Sequence, residues 1–180
     1  MKNNKKISFK YLGLTFSLPS DALRDNRNGG KSIYINAKHA ASLIKQYVKM
    51  KYPNIVCSAS SQVYAGGSSV DANICNPNGT PVEHSIAKDV DTFGNSLRSG
   101  SFNGMIDMYE YREDEVCSDN GTKLEFYCSY IFVNNRPKFG TIEWVLGEVA
   151  KGDEPKKLLE YVSDSVKQKV INLLSPSYSF

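Results

Sequence analysis

Few residues of this 180-residue chain have the types and spacing that chemistry requires. His84 stands beside Glu83 on a predicted helix, but a lone exposed histidine lacks the partner that a general base needs. The cysteines contain no Cys-x-x-Cys pair and do not lie at zinc-finger spacing from the histidines; they are Cys57, Cys75, Cys117 and Cys128. We therefore expect no catalytic residues, no metal site, no cofactor and no enzymatic activity.

A glycine-rich segment is the second place where a ligand could bind. Adjacent glycines let a ligand approach the backbone closely, and their amides could hold a phosphate or a carbonyl oxygen. The segment is not a P-loop, because no Gly-Lys-Ser/Thr follows it. A twisted hairpin connection with a bulge is the competing interpretation. The predicted ligand-contacting residues are Tyr64, Gly66, Gly67, Ser68 and Ser69.

Lysines in the first part of the chain give the strongest indication of a partner. The net charge is only +3, but the first 51 residues carry a charge of +9 and the remainder carries −6. Lys38, Lys45 and Lys49 share the polar face of a predicted helix, where we also expect His39 to be exposed. Lysine suits diffuse attraction to phosphates or to an acidic protein better than the reading of bases.

Hydrophobic patterns predict the first elements of the fold. Alternating apolar residues from Ile7 to Leu18, broken at Gly13, predict one bent strand or a short hairpin. Asn36 can cap a helix over Ala37–Met50, and Pro53 ends it. The three lysines lie on the side of this helix opposite its apolar stripe.

A hairpin with one buried face follows the first helix. Apolar residues alternate with polar ones on both sides of a predicted loop over 63–68, namely Ile55, Cys57 and Ala59, then Val70, Ala72 and Ile74. Free thiols in a reducing cytosol are the default for the cysteines. A disulfide between Cys57 and Cys75 is the alternative, because both lie on these paired strands.

A second helix, a second hairpin and two further helices complete the chain. Thr80-Pro81-Val82-Glu83 has the form of a capping box that begins a helix. Ile106–Tyr111 and Leu124–Val133 predict a hairpin whose acidic tip, between Glu110 and Asp119, we interpret as solvated. Helical periodicity returns after Pro137 and again after Pro155.

The predicted fold class is α+β. Hairpins require antiparallel pairing, so we expect an antiparallel sheet of two hairpins plus an N-terminal strand, packed against helices in the order β-α-β-β-α-β-β-α-α. We expect one domain over 1–180, with a basic N-terminal arm over 1–31 and a C-terminal helical extension over 138–180. The composition is typical of a folded soluble protein and excludes a collagen, a coiled coil and a membrane span. Lys10 interrupts the apolar stretch that a signal peptide would need, so we expect a cytoplasmic protein.

Three segments resemble a known family. Two of them are Tyr64-Ala65-Gly66-Gly67-Ser68-Ser69-Val70 and Ser101-Phe102-Asn103-Gly104-Met105, and the third is Tyr130-Ile131-Phe132-Val133-Asn134. Together they resemble the large polyvalent protein associated domain of type twenty-nine, which occurs in proteins of phages and other mobile elements. The resemblance implies an accessory protein that helps an invading element to establish itself. It assigns no catalytic residue to this chain.

Three functional hypotheses remain open. The first is a non-enzymatic accessory protein of a phage or mobile element that binds a host or element protein and counters a host defence component. The second is a nucleic-acid-binding module that uses the basic helix and the glycine-rich loop. The third is a small-molecule or nucleotide-binding protein or enzyme with a pocket beside Tyr64, Gly66, Ser69 and Asp71. The charge separation would also permit a homodimer, and no membrane partner is expected.

Overall fold

The start of the chain forms a hairpin, one of the two arrangements that its alternation predicts. In the computed structural model, which describes residues 5–25, 29–105 and 107–177, β1 (Lys6–Tyr11) pairs antiparallel with β2 (Leu14–Pro19). Phe9 and Phe16 face each other in this pairing and are 3% and 1% exposed, so the hairpin buries one face. Part of the predicted basic arm, residues 1–4 and 26–28, lies outside the described residues.

Nine further strands and five α-helices occur in the described ranges. The strands are β3 (Leu23–Asp25), β4 (Lys31–Ile35), β5 (Val56–Tyr64), β6 (Gly67–Cys75), β7 (Gly100–Asn103), β8 (Met108–Tyr111), β9 (Val116–Cys117), β10 (Lys123–Phe126) and β11 (Tyr130–Asn134). The helices are α1 (Ala37–Lys51), α2 (His84–Ser96), α3 (Ile142–Ala150), α4 (Pro155–Leu158) and α5 (Asp164–Leu174). These elements confirm the α+β class and, roughly, the predicted element order.

The predicted first hairpin is confirmed, and it forms the main part of a three-stranded sheet. β5 and β6 pair antiparallel from Val56↔Cys75 to Tyr64↔Gly67, and β11 adds parallel to β6 on the other side. The pairing sets the predicted apolar residues on one face, where Val70, Ala72 and Ile74 are fully buried. β5 is left at the edge of the sheet.

The second predicted hairpin is wrong. β8 pairs with β7, and the segment predicted as one strand over Leu124–Val133 is divided between β10 and β11. β10 pairs parallel with β4, and β11 pairs parallel with β6, so the sheets are mixed rather than purely antiparallel. Alternation could not reveal the division, because Leu124 and Ile131 lie in different sheets but bury their side chains in the same core. Ile106, the first residue of the predicted partner strand, lies outside the described residues.

The predicted cap of the first helix is confirmed. The Asn36 side chain accepts a hydrogen bond of 2.9 Å from the backbone N–H of His39, and the apolar stripe of α1 packs on β5 and β6. The expected exposure of His39 is wrong, since the residue is 7% exposed and its Nδ1 lies 2.8 Å from the carbonyl oxygen of Tyr34. The side chain turns back toward β4, which immediately precedes the helix.

The predicted capping box does not form. α2 begins at His84 without a side-chain cap, and the Thr80 hydroxyl instead donates a 2.7 Å hydrogen bond to Asn78. The Asn76 side chain in turn donates to Thr80, so the threonine is bound within the turn that follows β6. The turn uses the same polar side chains that would otherwise cap the helix.

The C-terminal helices have an apolar cluster of their own. Its buried members are Val145, Leu158, Leu159, Val162 and Val170. Close packing joins this cluster to the turn after β6, because a Cβ on Gly79 would lie 1.9 Å from the carbonyl oxygen of Glu143 in α3. α3 is thereby positioned beside the end of the three-stranded sheet.

Candidate binding site

The three predicted lysines form an exposed row on α1. Lys38, Lys45 and Lys49 are all exposed, and their spacing of seven and four residues places them on one side of the helix. Among the described residues, no carboxylate lies within 4.0 Å of any of these three ammonium groups. We call these residues the lysine stripe.

Lys51, at the end of the same helix, has an internal role instead. Its ammonium group lies 2.7 Å from Asp89 of α2 and donates a 2.9 Å hydrogen bond to the Tyr47 hydroxyl. Asp89 also accepts hydrogen bonds from the Tyr47 hydroxyl, at 2.6 Å, and from the Tyr52 hydroxyl, at 2.9 Å. Burial alone would raise the pKa of Asp89, but the hydrogen bonds from its three donors outweigh burial and hold that pKa below its ordinary value. The positive charge of Lys51 is therefore used within the fold.

The lysine stripe runs along the edge strand β5. Lys38, near the start of the helix, lines a cavity together with Ser61 and Val63, near the end of the strand. Lys45, one turn before the end of the lysine stripe, lies close enough to Cys57 to act on the pKa of its thiol. Burial raises that pKa to about 11, and the positive charge of Lys45 lowers it in part. The helix and the strand thus run in opposite directions, and Lys38 and Lys45 flank the packed side of α1 next to β5, whereas the sequence predicted the side opposite the apolar stripe.

The glycine-rich segment is a tight hairpin end rather than an open loop. β5 extends to Tyr64 and β6 begins at Gly67, so only two residues form the turn, and Gly66 has a φ of +90°. A Cβ on Gly67 would lie 3.2 Å from the Ser129 hydroxyl and 3.2 Å from the Tyr64 ring, so packing also favours glycine there. We call residues 63–68 the hairpin end.

The serines of the predicted site are largely enclosed. Ser68 and Ser69 are each 7% exposed. The Ser68 hydroxyl donates a 3.2 Å hydrogen bond to the carbonyl oxygen of Tyr127, which ties the hairpin end to the segment between β10 and β11. Tyr64 and Gly66 are the members of the predicted set that face solvent.

One cavity brings part of the lysine stripe together with the hairpin end. Its volume is about 410 Å³, and Lys38, Gly67 and Ser68 are among its lining residues. Tyr34 and Tyr127 line another side, with their ring centroids 4.3 Å apart. Lys45 and Lys49 are not among its lining residues and continue the lysine stripe along α1. The sequence offered no signal for the two tyrosines, because they come from β4 and from the segment after β10.

Ser69 and Asp71 point away from this cavity. Strand alternation places them on the opposite face of the sheet, where Asp71 lines a larger cavity of about 530 Å³ together with Arg136 and Trp144. Tyr64 lies on this same face, because it pairs with Gly67, but of the residues that the third hypothesis places beside one pocket (Tyr64, Gly66, Ser69 and Asp71), only Asp71 lines this larger cavity. Sequence reasoning missed this second cavity, although the single tryptophan of the chain was an available signal.

The acidic residues occupy a separate region. Arg112 forms an ion pair of 3.1 Å with Asp114, and the neighbouring Glu113 and Glu115 line a cavity of about 310 Å³. Over residues 5–25, 29–105 and 107–177, no three His, Cys, Asp or Glu side chains are grouped so that they could hold a metal ion. The same ranges contain no helix with the length and apolar character needed to cross a membrane.

The disulfide alternative is excluded by the strand register. Cys57 lies opposite Ile74 on the face toward α1, whereas Cys75 lies opposite Val56 on the other face. All four cysteines are free.

Comparison with known proteins gives one family. The model of the large polyvalent protein associated domain 29 matches residues 35–139, a range that begins at the end of β4 and stops before α3. No match was found among curated proteins or among solved structures. The lysine stripe and the hairpin end both lie inside the matched range.

Proposed function

We propose a function from the premise that this chain belongs to the family of the large polyvalent protein associated domain 29. The family is associated with phages and mobile elements. Within that setting, the protein is a non-enzymatic accessory protein that acts by binding an acidic protein of the host or of the element, and so counters a host defence component. The proposal places this action in the cytoplasm.

The lysine stripe is the observation that carries the proposal. Three exposed lysines stand on one side of α1 without a carboxylate partner among the described residues, whereas Lys51 of the same helix is paired with Asp89. Solvated ammonium groups in a row create a positive potential that attracts an acidic surface and orients its approach. Unlike Lys51, none of the three is held by a carboxylate among the described residues, so all three ammonium groups are available to a partner.

The nucleophile candidates support a binding role over a catalytic one. Burial raises the pKa of the Cys57 thiol and that of the Cys75 thiol to about 11, so both are protonated at neutral pH and are poor nucleophiles. The Nδ1 atom of His39 is engaged by the Tyr34 carbonyl within a buried site. Burial thus keeps the two thiols protonated, and the Tyr34 carbonyl holds the histidine ring in place.

Affinity capture from cells tests the proposal and identifies the partner. The wild-type chain is compared with a variant carrying Lys38→Glu, Lys45→Glu and Lys49→Glu. Its matched control carries Lys88→Glu, Lys156→Glu and Lys169→Glu, which change the net charge equally at exposed lysines with no ion pair in the described residues. We expect an acidic protein to be retained by wild type and by the control, and lost by the lysine-stripe variant. Equal retention by all three would contradict the proposal.

Binding of single-stranded nucleic acid is the second candidate function, and the cavity at Lys38 favours it. The Tyr127 side chain is 50% exposed there, and the Arg24 guanidinium lies 3.6 Å from the centroid of the Tyr34 ring. Aromatic faces beside positive charges are a common way to bind unpaired bases. Titration of a fluorescent oligonucleotide at several salt concentrations tests this function, since phosphate contacts make affinity fall steeply with salt. Absence of binding at low salt would contradict it.

A further inference from the structure

We propose that the free edge of β5 is a strand-addition site, where an extended acidic segment of the partner pairs with the sheet beside the lysine stripe. This inference rests on the proposed function and names the form that the bound segment takes. Strand addition supplies affinity through main-chain hydrogen bonds and specificity through the flanking side chains.

β5 is a long edge strand with an unoccupied side. It runs for nine residues, all paired with β6 on one side in an unbroken register. On its other side, no strand of the described residues pairs with it, and no backbone hydrogen bond from outside the hairpin reaches it. A row of backbone donors and acceptors is therefore open to another chain.

The strand lacks the features that usually protect such an edge. Natural proteins block edge strands with charged residues, prolines, bulges or short length. The sequence of β5 is Val-Cys-Ser-Ala-Ser-Ser-Gln-Val-Tyr, without a charge or a proline, and its register has no bulge. An unprotected edge of this length is unusual in a protein that must avoid aggregation, and a bound segment would account for it.

Hairpin geometry identifies the outward-facing amides. A two-residue turn is closed by a pair that exchanges hydrogen bonds, here Tyr64↔Gly67, and such pairs alternate with non-bonded pairs along an antiparallel ladder. The even-numbered residues of β5 therefore bond to β6. The backbone groups directed outward belong to Cys57, Ala59, Ser61 and Val63.

The positive charge beside β5 favours an acidic segment as the strand that binds to its edge. Lys38 lies near the end of β5 and Lys45 near its start, so a segment added there would lie close to these two ammonium groups. Acidic side chains on that segment would be attracted by the positive charge of these lysines. A second copy of this chain, paired through the same edge, would bring two lysine stripes together and is disfavoured by repulsion.

Amide hydrogen exchange on the full chain tests strand addition directly. The probe is a nine-residue peptide that alternates glutamate with valine, and a peptide of lysine and valine is its control. We expect the glutamate peptide to slow exchange at least tenfold at the amides of residues 57, 59, 61 and 63, and the lysine peptide to have no effect. Ser61→Pro, which removes one outward amide and keeps the bonds to β6, should reduce the affinity for the glutamate peptide at least tenfold.

The outcomes separate this inference from the proposed function. Binding of the glutamate peptide without protection of the four amides would overturn strand addition, and so would a failure to bind at all. Equal binding of both peptides would overturn the role assigned to charge. The hydrogen-exchange measurement uses the wild-type chain, so it tests strand addition even if the Ser61→Pro variant folds poorly. The capture experiment with the lysine-stripe variant tests the proposed function independently.

Discussion

The Tyr47 hydroxyl donates a 2.6 Å hydrogen bond to Oδ2 of Asp89 and so joins α1 to α2. The Tyr47 ring also stacks on Phe93 of α2, with ring centroids 4.0 Å apart and planes within 3° of parallel. These contacts hold the buried side of α1. They therefore determine which side of the helix, and which lysines, remain exposed.

Removing the Asp89 carboxylate should destabilise the fold. Asp89→Ala leaves Tyr47, Tyr52 and Lys51 without their shared acceptor, and we expect a loss of about 1.5–3 kcal/mol in the free energy of unfolding, the range for hydrogen bonds to a charged group. Asp91→Ala is the control on the same helix, because Asp91 accepts a side-chain hydrogen bond from Asn95 of α2 and from no other side chain in the described part of the chain. Chemical denaturation of both variants measures the effect. A loss for Asp91→Ala equal to that for Asp89→Ala would contradict the role of Asp89.

The contribution of Asp89 should depend on pH in a defined direction. Its pKa in the folded protein is held below the ordinary value of about 3.9, so the unfolded chain binds its proton first as the pH falls. The stabilisation is complete well above pH 4 and is lost as the pH drops through the folded pKa. We expect the difference in unfolding free energy between wild type and Asp89→Ala to be constant from pH 6 to 7 and to shrink below about pH 4. A difference that grew on acidification would contradict this assignment.

Gly79 should be required for the packing of α3. A Cβ there would lie 1.9 Å from the Glu143 carbonyl oxygen and 2.6 Å from the Gly147 nitrogen, and the φ of Gly79 is +81°. Gly121 is a matched control, since its φ is +82° and nothing lies within 4 Å of an added Cβ. We expect Gly121→Ala to cost about 1–2 kcal/mol from backbone strain, and Gly79→Ala to cost about 1–3 kcal/mol more. Equal thermal unfolding of the two variants would show that the close contact is unimportant.

The cysteines should differ in reactivity. Cys117 is exposed, whereas burial raises the pKa of the Cys57 and Cys75 thiols to about 11 and raises that of Cys128 above its ordinary value. Alkylation requires the thiolate, so iodoacetamide at pH 8 should modify Cys117 much faster than the other three. Peptide mass spectrometry over time gives the individual rates. Rapid modification of Cys57 or Cys75 in the folded protein would contradict the burial of these thiols.

Local patterns predicted the parts of the fold that depend on neighbouring residues. The cap at Asn36 and the alternation of β5 and β6 involve residues close in sequence, and both were predicted correctly. The parallel pairing of β10 with β4 joins residues about ninety positions apart and leaves no periodic signal in either strand. The sequence therefore favoured a local hairpin where the chain instead crosses between sheets.

The candidate site was likewise predictable where it depends on residues close in sequence, and not where it depends on distant residues. Spacing along one helix predicted that Lys38, Lys45 and Lys49 share a face, and the structure confirms their common exposure. Lys51 differs from these three lysines because it is paired with Asp89, which lies 38 positions away along the chain. No feature of the sequence indicated that pairing. The free edge of β5 likewise emerges only from the complete strand order. The binding roles assigned to the lysines and to the hairpin end stay predictions.

The central claim is that the lysine stripe binds an acidic protein. Its most direct test is the dissociation constant of the captured partner, measured by calorimetry against wild type, the lysine-stripe variant and the matched control, which has the same net charge as that variant. We predict at least a tenfold loss of affinity for the variant with Lys38→Glu, Lys45→Glu and Lys49→Glu, and a change of less than twofold for the control. Equal weakening of both variants, or unchanged affinity of the lysine-stripe variant, would contradict the claim.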